Sequence, residues 1–117
     1  MNKRKIEKIL IDIGLSCSSS GFDYISEALM EIDKVGVKAK MAEICRTIAK
    51  RHDTSASAVQ RAIQYSLDRV RKSRSEVTRR YIGNPFMGAK DRLMHMWRIL
   101  KWEEEDEDSK DQVADAE

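Results

Sequence analysis

Apolar residues recur at helical spacing along most of this chain, and only one proline, Pro85, interrupts the pattern. Ile6, Ile9, Leu10 and Ile13 form a first stripe, and Phe22, Ile25, Leu29 and Ile32 a second. Met41, Ile44, Cys45, Ile48 and Ala49 form a third, Val59, Ala62, Ile63, Ser66, Leu67 and Val70 a fourth, and Leu93, Met96, Trp97 and Leu100 a last. Residues three and four apart share one face of a helix, so such stripes are hidden from water by packing helix on helix. Aromatic residues, which strands favour, are only 6% of the chain. The expectation is an all-α fold of five to six helices.

The punctuation between stripes sets the element boundaries. Gly14 supplies a left-handed stop to a helix over residues 3–13. Ser16 to Gly21 reads as a loop, and the second helix ends near Gly36. The third stops at about His52, with Lys50, Arg51 and His52 in its last turn, where cations complement the helix dipole. Asp53, Thr54 and Ser55 are all N-cap residues, and Thr54 or Ser55 is expected to cap a long fourth helix running to about Arg74. A short helix over Ser75 to Ile82, a turn at Gly83-Asn84-Pro85 and a last helix from Ala89 to Trp102 complete the body.

Charge is segregated along the chain. Residues 1–102 hold 21 Lys and Arg against 11 Asp and Glu, whereas residues 103–117 hold nine acids against Lys110. A chain of 117 residues fits one domain, here residues 1–102. The acidic tail, with only Val113, Ala114 and Ala116 apolar, cannot bury enough surface to offset ordering and is expected to be disordered. A basic body of this kind attracts polyanions, and the tail can moderate that attraction.

Several function classes lose support. No apolar run approaches the roughly 18 residues of a membrane span, and the basic start Lys3-Arg4-Lys5 leads into an amphipathic segment rather than an export signal. The expected location is cytoplasmic, at the nucleoid, with Cys17 and Cys45 as free thiols and Cys45 in the core. Cys17, Cys45, His52 and His95 lack zinc-ligand spacing, and no Gly-rich phosphate loop or nucleophile elbow is present. Neither a metal, a cofactor nor an enzymatic activity is expected, and Trp97 and Trp102 read as core and core-edge residues.

The third and fourth helices, joined by about three residues with small Ala49 near the crossing, fit a helix-turn-helix over residues 41–74. Small residues and a tight turn let two helices cross closely enough for the second to enter a major groove about 12 Å wide. Ser57, Ala58, Gln60, Arg61, Gln64 and Tyr65 point away from the fourth apolar stripe and are the candidate base readers, together with Asp68 on the same face. Gln60 and Gln64 can pair with adenine and Arg61 with guanine or phosphate. Lys50, Arg51, Thr54, Ser55, Arg69, Arg71, Lys72 and Arg74 are candidate phosphate contacts, with Arg79 and Arg80 extending the basic run.

Ile13-Gly14, Gly21-Phe22-x-Tyr24-Ile25-x-Glu27-Ala28, Ile48-Ala49-Lys50-Arg51 and Thr54-Ser55-Ala56-Ser57-x-Val59-x-Arg61-Ala62-Ile63 together resemble the C-terminal effector domain of the stage-zero sporulation master regulator of endospore-forming bacteria. The resemblance covers about residues 6–83. It implies a six-helix, winged-helix-like domain without β-structure that binds promoter DNA through the helix starting near Ser55, with Arg61 on a basic position of the recognition helix. Ala58, Gln60 and Gln64 stand where that family carries arginine, glutamate and arginine, which implies a different target sequence. Residues 84–89 are shorter than the family's loop and lack its Pro-Thr-Asn helix entry. No receiver domain precedes Met1, so the expectation is a stand-alone regulator that aspartate phosphorylation in the same chain does not switch.

The leading expectation is a sequence-specific DNA-binding transcription regulator, monomeric or weakly dimeric and able to sit in tandem on duplex DNA, with RNA polymerase as a further partner. The alternative is a helical protein-interaction module that binds polymerase or another regulator without reading DNA. A further hypothesis has the acidic tail folding over the basic face and competing with DNA.

Overall fold

The computed structural model describes residues 1–70, 75–83 and 87–116, with side chains described through residue 108. In chain order these form α1 (Lys3–Asp12), α2 (Ser20–Val35), a 3-10 turn (Gly36–Lys38), α3 (Met41–Arg51), α4 (Ala56–Val70), α5 (Glu76–Ile82) and α6 (Ala89–Ala116). There is no strand among the described residues, and the all-α expectation stands.

The five apolar stripes supply most of the core, joined by Tyr81 and Ile82 of α5. Leu10, Ile25, Leu29, Ile48, Val59, Ile63, Leu67, Leu93 and Met96 are all fully enclosed, and each such side chain contributes roughly 1.5–3 kcal/mol relative to exposure. α2 is the central strut, packing against α1, α3, α4 and α6. Its Phe22, Ile25, Ala28, Leu29 and Ile32 are buried, and Cys45 of α3 is buried in the same core.

Local chemistry starts and stops these helices. Asn2 accepts from the Arg4 amide at 2.8 Å to cap α1, and Ser19 accepts from the Phe22 amide at 3.3 Å to cap α2. The expected loop is therefore shorter than Ser16 to Gly21, because Ser19 already caps and Ser20 and Gly21 are helical. α2 ends against Gly36 at φ 79°, in the left-handed region that glycine enters without a Cβ clash.

Two expectations at the C-terminal end need correction. The helix does not stop at Trp102, since α6 runs on through the acidic residues to Ala116. Glu103 accepts from Arg80 Nε at 3.0 Å and from the Tyr81 hydroxyl at 2.7 Å, Glu104 lies 3.4 Å from the Met1 amino group, and Glu107 accepts from Lys5 Nζ at 2.9 Å. The tail's acids thus meet bases on α1 and α5, and the segment holds no glycine or proline to break the helix. Trp102 is 54% exposed rather than at the core edge, whereas Trp97 is partly buried and donates Nε1–H to Asp33 at 3.0 Å.

Candidate nucleic-acid interface

α3 and α4 form the expected helix pair, with Ala49 buried at their crossing. Four residues, 52–55, join them rather than three. The Thr54 amide donates back to the Ala49 carbonyl at 3.0 Å, and the turn places Asp53 at φ 52°, a left-handed conformation that a short polar side chain tolerates. Between the two expected capping candidates, Ser55 takes the role, its Oγ accepting from the Ala58 amide at 3.1 Å.

α2 braces this turn from behind. Glu27 and Glu31, one turn apart, hold Arg51 at 3.5 and 2.6 Å. Glu27 also meets the His52 imidazole, whose ring packs edge-on against Tyr24 at 5.1 Å. The hydrogen bond from Arg51 holds the Glu31 carboxyl below the usual range despite its partial burial. Arg51 is thereby paired with α2, while its side chain stays 44% exposed.

The outer side of α4 is open. Ser57, Ala58, Gln60, Arg61, Gln64 and Tyr65 are all exposed, while Val59, Ile63, Ser66, Leu67 and Val70 face inward. Ser57, Gln60, Arg61, Gln64, Tyr65 and Asp68 line one shallow groove along the helix, and Tyr65 is 67% exposed at its edge. The period of 3.6 residues makes this division: positions between the core stripe's repeats must point outward.

Asp68, the acid in that row, is not left bare. Arg92 of α6, itself 3% exposed, donates Nη1–H to Asp68 Oδ1 at 2.9 Å and Nε–H to the Met87 carbonyl at 2.8 Å. This cation offsets the carboxylate that would otherwise repel a polyanion at the foot of the groove. Sequence reasoning missed Arg92, because it lies 24 residues from its partner on a different helix.

The remaining candidates divide by position. Lys50 is exposed on the last turn of α3, and Thr54 and Ser55 are exposed in the turn. Arg69 is exposed on the last turn of α4, whereas Arg71, Lys72 and Arg74 lie outside the described residues. Arg79 is exposed, and Arg80 is held by Glu103 at 2.9 Å. No cluster of three metal-ligating side chains occurs among the described residues, and no helix there is long and apolar enough to cross a membrane.

No curated protein and no solved structure matches the chain. The family described as "Sporulation initiation factor Spo0A C terminal" matches over residues 6–94, from the first buried residue of α1 into the second turn of α6. That span reaches further than the resemblance over about residues 6–83, and it contains the helix pair, the braced turn and the open face of α4. The chain therefore belongs to the family of the Spo0A C-terminal domain, a family of DNA-binding effector domains rather than enzymes.

Proposed function

We propose that this protein is a sequence-specific transcription regulator that docks α4 in the major groove of duplex DNA. The supporting observation is the outer face of α4, where two glutamines, an arginine and a tyrosine stand exposed in one row with their single acid neutralised from behind. Gln60 and Gln64 offer paired donors and acceptors to adenine, and Arg61 offers its fork to guanine. Small Ser57 and Ala58 at the start of the helix permit close entry. Lys50, Thr54, Ser55 and Arg69 supply phosphate contacts at the two ends, and Arg51 drops out because Glu31 holds it.

The test is binding of duplex DNA across a salt series. Phosphate-dominated docking predicts a steep fall in affinity as salt rises. In addition, Gln60→Ala with Arg61→Ala is expected to remove sequence preference while leaving residual non-specific binding. Salt-independent binding, or capture of polymerase with no DNA shift at low salt, contradicts the proposal and favours the interaction-module reading.

A further inference from the structure

Beside the open face of α4, across Tyr65, lies a second recess of about 300 Å³. One wall is the loop before α2 and that helix's first turn, including Ser16, Ser19, Ser20 and Gly21, and the other is Ala62, Tyr65, Ser66 and Arg69 of α4. Three features converge there. α2 is 16 residues long, and Ser20 and Gly21 occupy its first two positions, where amide hydrogens have no partner within the helix and carry the positive end of its dipole. Arg69 brings a full positive charge from the opposite wall. Ser66, only 6% exposed, lines the recess with a hydroxyl that has no hydrogen-bond partner among the described residues.

The Ser66 hydroxyl, two free amides and a guanidinium around one opening match a tetrahedral oxyanion. A helix lying in a major groove is flanked on both sides by phosphates, and this recess flanks α4 next to its readers. We infer that the first turn of α2, with Ser66 and Arg69, seats a backbone phosphate of the bound duplex and so forms one wall of the DNA site. The inference rests on the DNA-binding function proposed above. It adds α2, which belongs to neither helix of the helix-turn-helix, to the surface that touches DNA.

Ser20→Glu tests it, because the two roles of the position move in opposite directions. A carboxylate at the first turn of a helix favours folding, so thermal stability holds or rises, whereas a phosphate in the recess is repelled. Binding of a short mixed-sequence duplex at low salt is expected to weaken about tenfold, with the salt slope lowered by about one. Ser18→Glu, the same charge outside the recess, is expected to weaken binding by no more than about twofold through its screened field. Arg69→Gln also weakens binding, and its combination with Ser20→Glu loses less than the product of the two, since both act on one phosphate.

If wild type binds the duplex and Ser20→Glu binds as well, or if Ser18→Glu loses as much as Ser20→Glu, this wall is overturned while the reading role of α4 stands. A wild-type protein that does not bind duplex DNA at low salt removes both. Inorganic phosphate that shifts the Ser20 and Gly21 amide resonances, with DNA binding unaffected by Ser20→Glu, assigns the recess to a free anion and likewise overturns the inference.

Discussion

Gly21 of α2 lies directly against Ser66 of α4: a Cβ built on Gly21 would overlap Ser66 Oγ and stand 3.0 Å from both Ser66 Cβ and the Ala62 carbonyl oxygen. The absence of a side chain at Gly21 therefore sets how closely α2 can approach the back of α4, and with it how far the outer face projects. Gly21→Ala is expected to cost about 1–3 kcal/mol through overpacking against backbone that cannot yield. Ser66→Ala in the same chain should recover part of that loss, because it removes the nearest clashing atom. Denaturant melts of the two single variants and the double check this, and strictly additive effects would contradict it.

Arg92 and Asp68 give a second expectation, which separates folding from DNA binding. Arg92→Met removes the buried donor, and stability is expected to fall by about 2–3 kcal/mol as the Met87 carbonyl and Asp68 lose their partner. It also leaves an unpaired carboxylate beside Gln64 and Tyr65, so DNA binding weakens. Adding Asp68→Asn to Arg92→Met should restore binding without restoring stability. Restoration of neither would show that Asp68 does not face the duplex.

Tyr81 makes alkaline stability a readout of the α5–α6 contact. Burial, reinforced by the hydrogen bond to the Glu103 carboxylate, pushes its hydroxyl from the usual 10.0 up to about 12. The folded protein thus holds this proton more tightly than the unfolded chain does. Its contribution, on the order of 2 kcal/mol, is complete below pH 10 and is lost as pH rises from there toward 12. Glu103→Gln should move the tyrosinate absorbance transition of Tyr81 toward lower pH, and Tyr81→Phe should flatten the stability profile over this window. An unchanged transition in Glu103→Gln would contradict the assignment.

Truncation after Trp102 gives a fourth expectation. It removes nine acids and Lys110 and releases Arg80, Tyr81 and Lys5 from Glu103 and Glu107. Non-specific duplex affinity at low salt is expected to rise by about tenfold or more, and the salt slope to steepen, as freed bases become available to phosphates. Thermal stability should fall modestly, since exposed ion pairs contribute about 0–1 kcal/mol each. Unaltered DNA affinity would mean that the acidic segment does not moderate the basic body.

What the sequence made legible was whatever depends on local periodicity. The inward positions of α4, Val59, Ile63, Ser66, Leu67 and Val70, follow from spacing alone, and the outward row from Ser57 to Asp68 is their complement. The family, too, was readable from short blocks such as Gly21-Phe22 and the run from Thr54 to Ile63. What periodicity could not reveal was which charges meet across helices. Glu27 and Glu31 are visibly on one face of α2, yet nothing in their spacing names Arg51 as the partner of both. Nor does anything in the periodicity of α6 single out Arg92 as the buried partner of Asp68. The ion pairs of the acidic segment were hidden for the same reason: its own composition supports little burial, and its partners Lys5 and Arg80 are distant in sequence.

The central claim is that the exposed row on α4 reads base edges, and selection of bound sites from a pool of random duplexes tests it most directly. Wild type is expected to enrich one sequence, and Gln60→Ala with Arg61→Ala to retain low-salt binding while enriching none. Enrichment of the same sequence by that variant, or of no sequence by wild type, would contradict the claim.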